Sequence, residues 1–255
     1  MVTKNLHDEP FDESTIFKLE IFEDYAQAWI PTFVMQSHIG TIHIFDFFAG
    51  TGYDKKGTPG SPIRILEKIK DFKEHIFNNR IRMVVHLNEF EPKDKRQRKF
   101  NKMQESCTQF MKDNNGFSHR VTIKYYNEDF ETLFPKLLPI IKQFPSLVFL
   151  DQNGIKFLSK KYLLELENTI QTDFLYFVSS SYILRFGNED EFKKHLDIDL
   201  TEAKKRKYNF IHQHITEALR KKLPIKTKLK LYPFSLKKRS KYIRYNIWCK
   251  SSAWS

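Results

Sequence analysis

The sequence predicts an α/β fold: a mostly parallel, seven-stranded sheet with helices on both faces and an antiparallel terminal strand. Three observations carry that prediction. Short β-branched or aromatic runs alternate with helical periodicity from residue 41 to residue 181, the pattern of a parallel sheet built from β-α units. The chain closes on two strand-like runs whose short connection demands antiparallel pairing. No internal repeat or low-complexity linker divides the chain, so residues 14–255 read as a single domain behind a flexible N-terminus, residues 1–13.

Residues 14–34 place Phe17, Ile21, Tyr25, Ala28 and Trp29 at helical spacing, with Pro31 ending or bending the helix. The run 41–48, "TIHIFDFF", reads as a strand leading into a glycine turn. Residues 61–77 read as one helix, with Ser61 as cap and Pro62 at the first helical position. Strands at 82–90, 119–127, 146–152 and 173–181 then alternate with helices at 93–114, 130–144 and 160–170. A basic helical insertion spans 190–226, and a terminal hairpin spans 227–250 around the connection "SLKKRS". Five β-α units followed by a hairpin is the element order of the Rossmann-like class I methyltransferase sheet.

With 255 residues the core needs no staples. The two cysteines, Cys107 and Cys249, stand 142 positions apart with no metal-ligand spacing, which fits a reduced, cytoplasmic setting. No segment reaches the roughly 18 consecutive apolar residues of a membrane span, so no membrane partner is expected. The formal charge of +12 is concentrated at one end. Residues 201–255 hold sixteen Lys/Arg against Glu202 and Glu217, a formal +14, leaving −2 for residues 1–200. That asymmetry suits a polyanion, RNA or DNA, with Lys204, Lys205, Arg206, Lys237, Lys238 and Arg239 as phosphate contacts. A solvated lysine-rich face has the same composition.

The glycine turn excludes two ligands. A P-loop needs Gly-x4-Gly-Lys-Ser/Thr, but Tyr53 and Asp54 follow Gly52. A dinucleotide turn needs a third glycine where this chain has Lys55. What remains, Asp46-x-Phe48-Ala49-Gly50-Thr51-Gly52, fits S-adenosyl-L-methionine: glycines admit close approach of backbone, and a carboxylate accepts from the ammonium group. Glu89 follows for the ribose hydroxyls and Asp129 for the adenine amine. Asp151 falls where the methyl group would lie. Ligands of open parallel sheets bind at the carboxyl ends of the strands, where these four acids stand.

The frame "FKLEIFEDYAQAWIP", "IFDFFAGTGYDKKGTPGSPIRIL", "LVFLDQNG" and "FLYFVSSSYILRF" resembles the three-Cys-motif partner protein (TcmP) family over about residues 15–190. The resemblance implies a methyltransferase fold, S-adenosylmethionine as cofactor, and a protein partner encoded nearby, since the family is named for a neighbouring gene. By position it places Lys18, Gly50, Gly52 and the Pro59 to Pro62 element, Ser61 included, at the site. The family's Asp-Pro-aromatic-Gly turn falls on Asp151-Gln152-Asn153-Gly154, which lacks both proline and aromatic. Asp151 and Asn153 remain the expected catalytic residues there, to hold, orient or deprotonate a polar nucleophile.

Remaining candidates read as structural. Neither cysteine sits at a strand end suited to a cytosine nucleophile, and His212 and His214 are two apart in a helical run, so no metal site is expected. His43 and His86 read as core histidines. The functional expectation is methyl transfer to nucleic acid. Two alternatives stay open: a nucleic-acid-binding or assembly subunit without transfer, and a protein or small-molecule methyltransferase.

Overall fold

Four strands, β1 (Thr41–Asp46), β2 (Arg82–Asn88), β3 (Val121–Tyr126) and β4 (Ser146–Leu150), form a parallel sheet in the order β3-β2-β1-β4. The computed structural model describes residues 10–36, 38–92, 97–151, 160–169, 171–179, 213, 216–217, 220–221, 223–238 and 241–249. The chain divides into two compact units, one running to Phe149 and one beginning at Leu150.

In the first unit, all but the first residue of β1 and of β2 are buried, as a parallel sheet covered on both faces requires. Alternation assigns Ile42, Ile44 and Asp46 to one face and His43, Phe45 and Phe47 to the other. α1 (Glu13–Val34) covers the first face: Phe22 stacks on Phe149, the register partner of Asp46, with centroids 4.1 Å apart. α5 (Phe130–Gln143) covers the second, where Phe47 meets Phe130 edge-on at 5.2 Å.

Several local expectations are corrected. The buried stripe of α1 is Leu19, Phe22, Ala26, Trp29, Ile30 and Phe33. Phe17, Ile21 and Tyr25 are only half-buried and Ala28 is exposed, because two apolar sets share helical spacing and the larger aliphatic and aromatic set wins the core. Pro31 neither ends α1 nor stops it short of Val34. The single helix expected over 61–77 is two, α2 (Ser61–Asp71) and α3 (Lys73–Asn78), parted where the Phe72 N–H turns to the Ile69 carbonyl at 3.2 Å. α4 (Arg98–Asp113) links β2 to β3.

The second unit contains α6 (Lys160–Glu167), β5 (Thr172–Ser179), β6 (Lys230–Lys238) and β7 (Lys241–Cys249). β7 runs antiparallel to both β5 and β6. The β6–β7 ladder reaches Lys238–Lys241, so the strand takes in most of the expected "SLKKRS" connection. Thr227 Oγ1 donates to Glu167 Oε1 at 2.9 Å, tying the approach to β6 to the end of α6. The parallel sheet in the order β3-β2-β1-β4, with helices on both faces, is a Rossmann-like α/β arrangement, and in the second unit the terminal strand is antiparallel, as expected. No helix among the described residues is long and apolar enough to cross a membrane.

His43 and His86 are 6% and 2% exposed and bridge adjacent strands. His43 Nδ1 lies 2.9 Å from His86 Nε2, and His86 Nδ1 lies 2.9 Å from the Tyr126 hydroxyl. The pairs are diagonal in register, with Phe45 opposite His86 and stacked on it at 4.3 Å. Burial, with the Lys124 charge added, lowers His43 to about 4; burial, then His43 and Lys124, lowers His86 to about 3. Both rings are therefore neutral at pH 7, and the unfolded chain binds protons that the folded chain refuses. Their contribution to stability is complete above pH 6.5 and is lost as the pH falls from there towards 4 and 3. The unfolding free energy from urea titrations should drop over that window, by up to about 1.4 kcal/mol per pH unit for each histidine. A His43→Gln/His86→Gln variant should show a flatter slope.

Candidate functional site

At the carboxyl end of β1 the chain turns through a loop that uses its own amides. Asp46 is 1% exposed, and its Oδ1 accepts the Phe48 N–H at 3.1 Å. Phe48 is half-buried, its ring 5.6 Å from that of Phe130. The Ala49 N–H donates to the Asn88 carbonyl at 2.9 Å, and the Gly50 N–H to Glu89 Oε2 at 2.8 Å. Three successive N–H groups are thus bonded inside the protein. A phosphate-binding loop must instead point such groups at its ligand, so the geometry agrees with the exclusion of a P-loop or pyrophosphate turn.

Gly50 and Gly52 have φ of 71° and 90°, the left-handed region that side chains avoid. A Cβ on Gly52 would stand 2.7 Å from Ser106 Cβ. Ser106 also donates to the Thr51 carbonyl at 3.3 Å. The second glycine therefore admits α4 against the loop, a packing reason that the turn motif alone does not reveal. Ser61, expected as the helix cap, is instead the first residue of α2 behind Gly60; it is 4% exposed and its hydroxyl reaches the Ala49 carbonyl at 3.4 Å.

Glu89 closes β2 beside this loop and is 9% exposed. Burial raises its pKa, Lys99 and the Gly50 N–H oppose the rise, and Glu91 adds to it. Its Oε2 holds Gly50; among the described residues its Oε1 has no hydrogen bond, only Lys99 Nζ at 3.9 Å. A carboxylate has about four acceptor positions, so Glu89 has capacity for a ligand's donors.

Two neighbours were missed by sequence reasoning. Asn88, 2% exposed, donates through Nδ2 to the carbonyls of Phe47 (3.1 Å) and Glu128 (3.0 Å), and accepts the Glu128 N–H at 3.1 Å. One carboxamide thus ties the ends of β1, β2 and β3. Glu91 Oε2 accepts the N–H groups of Lys99 and Phe100 at the start of α4, at 2.6 and 3.2 Å, which fixes the helix that carries Lys99 and Ser106. An acid two residues beyond Glu89 and seven before α4 was the available signal.

Asp129 caps α5, with Oδ1 accepting the Glu131 N–H at 3.0 Å. Lys18 is half-buried on α1. Asp151 directly follows β4 and is half-exposed in the second unit. Asn153, Lys204, Lys205, Arg206 and Arg239 lie outside the described residues, and Lys237 and Lys238 end β6. Cys107 is fully buried in α4, its thiol pushed up to about 12 by burial and by the Asp46 charge, against a Tyr125 hydrogen bond. It stays protonated at neutral pH and is no nucleophile.

No protein-family model matches the sequence, and no curated protein matches it. Among solved structures, the chain is similar to the O-methyltransferase TomG from Streptomyces achromogenes, in complex with SAM, at 11% identity and TM-score 0.43, covering 98% of this chain and 100% of that one. It is also similar to the O-methyltransferase from Bacillus cereus in complex with SAH, at 10% identity and TM-score 0.40, covering 94% and 92%. The fold class rests on the strand order described above.

Replacing Gly52 by Ala should destabilise the protein by about 2–4 kcal/mol, from the left-handed backbone and the Ser106 overlap together. Adding Ser106→Gly removes the overlap alone. A double-mutant cycle in urea should therefore return a coupling of about 1 kcal/mol between the two positions.

Proposed function

We propose that the chain is an S-adenosylmethionine-dependent methyltransferase acting on nucleic acid. The observation that carries the reading is Glu89: a nearly buried carboxylate at the end of β2, one oxygen holding the glycine loop and the other open to donors. A ribose diol supplies two such donors, and their bonds would favour the charged form that burial disfavours. The edge around it offers carboxylates rather than free amides, which suits a nucleoside cofactor whose methionine end carries an ammonium group.

In this reading Gly50, Gly52, Phe48 and Ala49 shape the loop against the cofactor, with Asp46 bracing the turn. Glu89 takes the ribose and Asp129 the adenine side. When bound, the cofactor supplies a methyl group on a sulfonium. The chain's own part is to orient the acceptor for in-line attack, with Asp151 and Asn153 receiving or steering its proton. Lys18 and Ser61 belong to the element shared with the TcmP frame. The +14 of residues 201–255, with Lys204, Lys205, Arg206, Lys237, Lys238 and Arg239, supports RNA or DNA as acceptor through phosphate neutralisation. A partner encoded nearby would complete the assembly.

A second reading, a nucleic-acid-binding subunit without transfer, is favoured by Asp151-Gln152-Asn153-Gly154, which lacks a proline and an aromatic at the acceptor turn. Calorimetry with S-adenosylmethionine separates them. Saturable binding is expected, weakened about tenfold or more in Glu89→Gln, together with methyl incorporation into RNA or DNA; silence in the calorimeter removes the enzyme reading. Binding without incorporation turns the conclusion to the subunit. Nucleic-acid affinity should also fall steeply between about 50 and 200 mM salt.

A further inference from the structure

In the loop beyond Gly52 one side chain gathers three backbone amides. Asp54 is 8% exposed. Its Oδ1 accepts the N–H groups of Lys56 and Thr58, each at 2.8 Å, and its Oδ2 accepts the N–H of Phe11, 43 positions earlier, also at 2.8 Å. The Asp54 N–H donates to the Thr58 carbonyl at 3.0 Å, and Tyr53 and Pro59 form an antiparallel bridge. The Gly60 N–H then closes on the Gly52 carbonyl at 2.7 Å. Residues 53–60 are therefore a closed excursion whose two ends meet at Gly52.

The segment before α1 grips this excursion. Besides the Phe11 amide, the Phe11 ring lies 3.5 Å from where a Gly60 Cβ would stand, and that Cβ would also be 3.2 Å from the Gly52 carbonyl oxygen. Farther along, Arg64 Nε donates to the Pro59 carbonyl at 2.9 Å while Nη1 pairs with Glu23 of α1 at 2.5 Å. The helix is thus anchored to the loop independently of Asp54, and the Phe11 amide is a separate link.

We propose that Asp54 is a positioning residue for the cofactor loop: by binding the Phe11 amide it makes the ordering of Gly50 to Gly60 depend on docking of the segment before α1. This rests on the reading that the loop receives S-adenosylmethionine. Asp54 touches no reacting atom; it acts through Gly52, whose carbonyl anchors the excursion it closes. Burial by itself would raise the pKa of Asp54, but the Phe11, Thr58 and Lys56 amides and the Thr58 hydroxyl outweigh it and hold the carboxyl below the usual range. The link is charge-assisted and so stronger than a neutral one.

The test uses the full-length chain and two readouts, hydrogen exchange over residues 50–60 and calorimetric affinity for S-adenosylmethionine. Asp54→Asn replaces one acceptor oxygen by a donor; exchange in this segment should quicken at least tenfold and affinity should fall about tenfold. Phe11→Pro deletes the bonded N–H and the ring and fixes φ at that position, and should reproduce both changes. Phe11→Leu keeps the N–H and should stay near wild type. Should Asp54→Asn fail to fold by circular dichroism, the two Phe11 variants decide the matter. Unchanged exchange in Phe11→Pro overturns the link, and faster exchange with unaltered affinity overturns its coupling to the site. A wild-type chain that binds no S-adenosylmethionine, while Phe11→Pro still quickens exchange, overturns the cofactor reading and leaves the loop clasp standing.

Discussion

The bond from the Gly50 amide to the Glu89 carboxylate is the contact on which the carboxyl edge of the sheet depends. It joins the loop after β1 to the end of β2, the strand beside it, and it does so with a charged acceptor in a place where charge is disfavoured. Buried polar groups are tolerable only when partnered. Glu89 and Gly50 each supply the other's partner, so neither can move without exposing an unsatisfied group. The Ala49–Asn88 bond next to it extends the same logic to the backbone.

Around that bond, support is layered by side chains that join distant segments. Asn88 gathers the ends of three strands through one carboxamide. Glu91 holds the first turn of α4, and from α4 Ser106 fills the space left by Gly52 while Lys99 faces Glu89. Asp54 and Arg64 bring in the segment before α1 and α1 itself. Most of these supporting contacts are polar and specific in direction, whereas the core beneath is an aromatic stack of Phe47, Phe130, Phe134 and their neighbours that fixes the sheet and reaches the loop only through Phe48. This division is what a binding edge needs: apolar packing for a rigid platform, directional bonds for the shape at its rim.

Much of the fold was legible because burial on both faces of a parallel sheet leaves a mainly apolar, β-branched or aromatic run, interrupted only by His43, Asp46, His86 and Asn88 in residues 42–46 and 83–88. Element ends were legible where a cap or a proline announces them, and less so where the cause is tertiary. The choice between the two apolar stripes of α1 depended on Phe149, more than 100 residues away, and no local pattern contains it. The same holds at the site. Asp46, Gly50, Gly52 and Glu89 stand out as residue types at strand ends. The reason for Gly52 lies in Ser106, however, and the task of Asp54 lies in Phe11, pairings that only the folded chain brings together. Ser61 shows the opposite case: a good capping residue one position too late to cap, drawn inward by the Ala49 carbonyl.

The kind of ligand follows from which polar groups the rim has left over. The amides of Phe48, Ala49 and Gly50 are engaged by Asp46, Asn88 and Glu89, and the start of α4 is occupied by Glu91. The amides of this stretch and of the first turn of α4 are therefore already engaged within the protein, by Asp46, Glu89, Glu91 and the Asn88 carbonyl. An anionic group placed against this rim would meet carboxylates in place of donors. A ligand rich in hydroxyl and ammonium donors would meet acceptors, Glu89 Oε1 among them. Along Phe48 to Gly50, then, the rim presents acceptors where a phosphate-binding loop presents donors.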